Sequence, residues 1–190
     1  GEWDWERSPP KTAQEIRFKR WLIEQLAQTA RILHSSGANH RDFYLSHFLL
    51  HQTEKKGGPS PENCRISLID LHRMRIHKPL LRAWIGAVVQ GLLKRQRPQT
   101  PQSETPSRWK MRDVSGLHYS SRNLGLTQRD RLRFIRLYSQ TSLREALARE
   151  RKFWERVERR ANRLSAAERR RSPDSELAPP RALHSAGTQP

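Results

Sequence analysis

The sequence predicts an α+β domain that is mainly helical and built around one small β-hairpin. Three observations predict it. Thr12 opens a long helical pattern, two strand-like stretches flank a polar loop containing glycine and proline, and several further helix starts follow downstream.

The elements follow in chain order. Thr12-Ala13-Gln14-Glu15 is a capping box, in which a threonine hydroxyl and a glutamate three residues on satisfy each other's backbone amides. It leads into a face of Ile16, Leu22, Ile23, Leu26, Ala30 and Leu33, closed by Ser35-Ser36-Gly37. His47 to Leu50 is a short apolar run, Gln52 to Asn63 a polar loop, and Arg65 to Asp70 an alternating strand; together they predict the hairpin. Leu81, Trp84, Ile85, Val88 and Leu92 have helical spacing, and Arg97 to Ser107 reads as a linker. A helix is expected from Asp113 through Ser121. Another is capped by Thr127 with Asp130 and carries Leu132, Ile135 and Tyr138. The last is expected to start after Ser142, paired with Glu145, and to run past Leu164 with Leu143, Leu147, Phe153, Trp154, Val157 and Leu164 inward. Residues 1–140 are expected to form one lobe with an insertion at 79–107, residues 141–171 a basic C-terminal helix, and 172–190 a disordered tail.

Charge narrows the partners. Thirty-seven Lys and Arg against 19 Asp and Glu give a net +18, a field that draws polyanions such as nucleic acid, an anionic membrane face or a phosphorylated substrate. The single cysteine, Cys64, has no internal disulfide partner, which suits a reducing compartment. The first ten residues are acidic, aromatic and proline-ended and do not read as a signal peptide. The longest apolar stretch, Pro79 to Leu93, falls short of the roughly 20 residues that cross a bilayer. A cytoplasmic protein, soluble or peripheral to a membrane, is expected.

The chemistry concentrates in His40-Arg41-Asp42, with His47 five residues after Asp42, then the hairpin, then Ile69-Asp70-Leu71-His72. Protein kinases set H-R-D-x-x-x-x-N before a hairpin and D-F-G. Phosphoryl transfer to an alcohol needs one carboxylate to orient the hydroxyl and take its proton. A second must hold the magnesium that bridges the phosphates, and a hairpin can fix both on one rigid edge. The helix, its glycine stop, the tripeptide, the hairpin and the second aspartate stand here in kinase order.

Further blocks make the likeness specific. Leu33-His34 through Gly37, Asn39 through Tyr44, His47 through His51, Ile69 through Arg73, and Gly116-Leu117 to Gly125 through Asp130 resemble the lipopolysaccharide core heptose(I) kinase family. The resemblance runs from about Trp3 to about Tyr138 and implies the C-terminal lobe of a protein-kinase-like fold. It implies transfer of the ATP γ-phosphate to the first heptose of the lipopolysaccharide inner core, at the cytoplasmic face of the inner membrane, on an anionic glycolipid acceptor. By that resemblance Asp42 is the catalytic base, His40 and Arg41 belong to the catalytic loop, and Asp70 binds Mg²⁺ and the nucleotide. His47 takes the place of the metal-binding asparagine, and Asp113 anchors the catalytic loop. On the residues alone, His47 is as well explained as a core histidine. Asp113 reads as structural, Arg41 as a partner for a nearby carboxylate, and Cys64 as inert. His72 and Arg73 belong to the resemblance without an assigned chemistry.

Two departures stand out. Neither a glycine-rich phosphate loop nor a strand lysine with a partner glutamate precedes Asp42, so the N-terminal nucleotide lobe is expected to be absent from this chain. The stretch 79–107 is longer than the family's usual connection. Two other readings remain: a non-catalytic remnant or scaffold, and a nucleic-acid-binding protein. The second rests on Arg149 to Arg171, but Glu150, Glu155, Glu158 and Glu168 interrupt that run as they would in a solvated helix, and no nucleic-acid-binding motif accompanies it.

Overall fold

A computed structural model describes residues 9–53, 58–77 and 105–171. Helix α1 spans Ala13–Ser35. Thr12 Oγ1 accepts from the Glu15 amide at 3.1 Å and the Glu15 carboxylate accepts from the Thr12 amide at 3.0 Å, so the expected capping box forms. Gly37, with φ 79°, turns the chain out of the helix in a conformation that a side chain would strain. The buried line of α1 is Phe18, Lys19, Ile23, Ala27, Ala30 and His34. Ile16, expected inside, is 37% exposed. Lys19 can be buried because its ammonium meets Asp130 at 2.8 Å.

Strands β1 (Ala38–Asn39), β2 (Phe48–Gln52), β3 (Cys64–Leu68) and β4 (Arg75–Ile76) form two antiparallel pairs. β2 and β3 make the expected hairpin, with Phe48 opposite Leu68 and Gln52 opposite Cys64. The second pair, β1 with β4, sets Ala38 opposite Ile76 and Asn39 opposite Arg75. Two residues a side carry no readable alternation, so this pairing could not be expected from periodicity. Its effect is large, because it staples together the two ends of the segment that carries His40, Asp42 and Asp70.

Helices α2 (Ser107–Ser120), α3 (Gln128–Ser139), α4 (Leu143–Arg149) and α5 (Arg151–Arg171) complete the described chain. α2 starts six residues before the expected Asp113. Its first turn, Ser107-Arg108-Trp109-Lys110, holds a single apolar side chain, so apolar periodicity could not reveal it. The start is set by Pro106, whose carbonyl accepts from the Trp109 and Lys110 amides. Thr105 docks just before it, giving its hydroxyl to the Ala38 carbonyl at 2.6 Å. The rest of the expected insertion, the helical spacing at Leu81 to Leu92, and the tail 172–190 lie outside the described residues. α3 carries the expected Thr127–Asp130 capping box. The single helix expected after Ser142 is two, broken at Glu150. That side chain accepts from Trp154 Nε1 at 3.0 Å and from the Ser139 hydroxyl at 2.6 Å, which pins the corner. Ala146, Val157 and Ala161 face inward, while Leu147 is 39% exposed.

α5 packs on α2, and α3 packs on α1. Ala30, Phe43 and Leu117 form the centre of the core, with Leu26, Leu33, Phe48, Leu68, Phe134 and Tyr138 around them. Phe43 is the residue after Asp42, so the active segment is anchored directly in the core. α2 approaches it closely at Gly116, where an added Cβ would lie 3.0 Å from the Phe43 carbonyl oxygen and 3.3 Å from the Tyr44 ring. Gly116→Ala should therefore destabilise by about 1–3 kcal/mol, the range for overpacking a filled site. A denaturant melt checks this, and an unchanged midpoint would show that α2 can retreat. An apolar cavity of about 760 Å³ lies between α1, the hairpin, α2 and α3, lined by Leu22, Leu26, Phe48, Leu50, Leu117 and Phe134 among others. Among the described residues no helix is long and apolar enough to cross a membrane.

Two histidines make the packing pH-sensitive. Burial pushes His118 below its ordinary value, against the opposing pull of Glu158, whose carboxylate sits 2.6 Å from Nε2 between α2 and α5. Burial, helped by Arg108 and Arg75, lowers His77 as well. A histidine lowered in the folded state stays neutral where the unfolded chain already takes a proton. Stability is then complete above the unfolded value of 6.5 and falls as pH drops from there toward the folded values. The melting temperature should accordingly fall between pH 7.5 and 5.5, and less steeply in His118→Gln; a flat profile for the native protein would contradict it.

Candidate active site

The segment from His40 to Asp42 leaves β1 and crosses the base of the hairpin. Asp113, fully buried on α2, accepts from the His40 amide at 2.7 Å and the Arg41 amide at 2.9 Å. Its third partner is His34 Nε2 at 3.3 Å, and the other ring nitrogen of His34 meets the Tyr138 hydroxyl at 2.8 Å. Asp113 thus anchors the loop and has the structural role that its residue type suggested. It stabilises a costly conformation, since Arg41 has φ 76° and is not a glycine. The Arg41 guanidinium pairs with no carboxylate among the described residues, contrary to expectation, and its Nε is buried without a partner.

His40 is fully buried, and its Nε2–H donates to the Ile69 carbonyl at 2.9 Å. That bond ties the loop to the strand end that presents Asp70. Asp70 itself sits in the left-handed region at φ 61°, a conformation aspartate tolerates better than most residues. His47 closes the frame. Its Nδ1–H donates to the Asp42 carbonyl at 2.5 Å, its own carbonyl accepts from the Ile69 amide at 2.9 Å, and its Nε2 lies 3.5 Å from Asp70 Oδ2. One imidazole therefore touches both aspartates. Its core-residue reading is incomplete, because the side chain is 23% exposed and bridges the two acidic positions.

The short turn Leu71–Arg73 after Asp70 sends two more side chains back into the site. His72 Nδ1 binds Asp70 Oδ1, and Arg73 pairs with Asp42 Oδ2 at 2.6 Å. These contacts give partners to two residues that the sequence left without a role. The signal was available in principle: a single turn after Asp70 places the second and third following residues over the preceding loop. The carboxylates of Asp42 and Asp70 remain 18% and 36% exposed, so both can meet a ligand. Cys64, a free and buried thiol at the start of β3, takes no part. Neither aspartate lines the large apolar cavity.

Residues 5–104 match the model of the lipopolysaccharide kinase (Kdo/WaaP) family. The chain belongs to that family. It is 34% identical over 161 residues to the lipopolysaccharide core heptose(I) kinase WaaP of Escherichia coli, covering 85% of this chain and 49% of that protein. It is 36% identical over 161 residues to the WaaP of Pseudomonas aeruginosa, with 85% and 48% covered. A solved structure of WaaP in complex with acyl carrier protein superposes with a TM-score of 0.62 at 35% identity, over 85% of this chain and 54% of the other. The chain thus spans about half the length of the curated relatives it matches. The mainly helical Kdo/WaaP-family architecture with its small antiparallel sheet agrees with the α+β expectation.

Proposed function

We propose that this chain is the catalytic part of an ATP-dependent kinase that phosphorylates the first heptose of the lipopolysaccharide inner core. The observation that carries the proposal is the single frame joining Asp42 to Asp70 through His47, with Arg73 and His72 orienting the two carboxylates. Asp42 orients the acceptor hydroxyl and takes its proton as the hydroxyl oxygen bonds to the γ-phosphorus; the bond from that phosphorus to ADP breaks. Arg73 holds Asp42 in place before the acceptor arrives. His40 and Arg41 position Asp42 through their contacts to Ile69 and Asp113.

Asp70 offers magnesium a hard carboxylate oxygen, and this ion commonly binds one or two carboxylates plus substrate phosphates and water. Bound there, it would neutralise charge on the phosphates. Among the described residues no three His, Cys, Asp or Glu side chains gather around a metal-sized site, so Asp70 is the residue proposed for the metal. The nitrogen of His47 is a poor magnesium donor. Its bond to the Asp42 carbonyl fits a positioning role better than the ligand role expected for it.

The acceptor proposed is the anionic core glycolipid, met at the cytoplasmic face of the inner membrane, to which the net charge of +18 would draw the protein. Because the related WaaP was solved with acyl carrier protein, that partner is proposed here too, and the apolar cavity has the lining to take an aliphatic chain. The test uses the full-length protein, labelled ATP and core glycolipid lacking heptose phosphate. Label on the first heptose supports the reading, and label confined to another acceptor or to water overturns it.

A further inference from the structure

The arginines in and beside α5 differ in their partners. Arg151 pairs with Glu155 at 2.8 Å, and Arg149 just before the helix pairs with Glu145 at 2.8 Å. Arg156, Arg159, Arg160 and Arg163 do not pair. They line one pocket of about 370 Å³ against Met111 of α2, and none of them meets a carboxylate among the described residues. Arg156, Arg160 and Arg163 follow the i, i+4, i+7 spacing that puts side chains on one helix face. Nε of Arg160 is buried without a hydrogen-bond partner. Burying a charged donor unpaired is costly, and so is crowding like charges on one face. An anion in the pocket would remove both costs.

We infer that the pocket between α2 and α5 is a binding site for a phosphomonoester-bearing anion. Guanidinium groups bind phosphate through paired N–H donors, and a dianionic phosphate offers more acceptors and charge than a carboxylate. The volume lies within the range of small-molecule sites. The apolar wall at Met111 suits the carbon to which the phosphate is attached. The site shares no residue with the Asp42–Asp70 frame, so it stands whether or not the kinase reading holds. The phosphate group could belong to a lipid headgroup or to a soluble molecule.

The test uses the full-length protein with two probes: inorganic phosphate by calorimetry, and phosphatidylcholine vesicles with or without phosphatidic acid by co-sedimentation. The variant Arg156→Gln, Arg160→Gln, Arg163→Gln is compared with a charge-matched control, Arg129→Gln, Arg136→Gln, Arg144→Gln, drawn from exposed arginines elsewhere. The pocket variant should lose at least about tenfold in affinity while the control stays within about twofold. Arg163→Gln alone changes an exposed residue and should lose part of the affinity without disturbing the fold. Binding of both probes identifies a site for the phosphate group itself. Binding of phosphatidic acid vesicles alone assigns it to a lipid headgroup. Equal loss in the control, or no binding of either probe by the native protein, overturns the inference.

Discussion

Asp113→Ala should cost the protein roughly 3–5 kcal/mol, the range for removing one partner of a buried charged network. The buried amide of His40 and the part-buried amide of Arg41 lose their acceptor, and His34 loses its partner on the same side. A typical domain holds about 5–15 kcal/mol in total, so this change takes a large share of it. The loss should be visible as a lower denaturant midpoint. Asp113→Asn keeps one carbonyl oxygen for a backbone amide and should lose less. A near-native midpoint for Asp113→Ala would mean that the left-handed turn at Arg41 holds without its anchor, and that the loop is set by the β1–β4 pairing instead.

Asp42→Ala in the complete enzyme should lower turnover by about 10²–10⁴-fold, the usual worth of general acid–base help. The fold should survive, because the Asp42 side chain is partly exposed and its structural link to His47 runs through the backbone carbonyl. The change does release Arg73 from its ion pair, so an Asp42→Asn variant, which keeps a polar side chain of the same size, serves as the second reading. Turnover is measured as phosphate incorporated into the core glycolipid. Near-normal turnover in both variants would remove Asp42 from the chemistry.

Much of this site was legible because the motif residues lie close together in sequence. His40 to His47 spans one loop, Asp70 follows one hairpin, and both spacings are read directly. Caps were legible for the same reason, since Thr12 with Glu15 and Thr127 with Asp130 satisfy each other within three residues. What escaped depends on long-range partners. Arg73 pairing with Asp42 needs the turn geometry after Asp70, and the β1–β4 staple has too few residues to show a period. Lys19 in the interior has its partners, the Asp130 carboxylate and the Gly125 carbonyl, more than a hundred residues away. The lysine holds Asp130 too: burial pushes its carboxyl up, but hydrogen bonds from Lys19 and Thr127 outweigh this and leave it below its ordinary value. The early start of α2 was hidden because a first turn with Trp109 as its one apolar residue shows no rhythm. The break at Glu150 was hidden because a glutamate normally continues a helix; here its bonds to Trp154 and Ser139 fix a corner instead.

Under the proposed function the two aspartates share one frame but divide the work, Asp42 serving the acceptor and Asp70 the metal-bound nucleotide. The most direct measurement is the magnesium-dependent affinity of the complete enzyme for ATP, compared between Asp42→Asn and Asp70→Asn by calorimetry. Asp70→Asn should weaken it by at least about tenfold, and Asp42→Asn should leave it within about twofold of the native value. Equal weakening by both changes, or weakening by Asp42→Asn alone, would contradict this division.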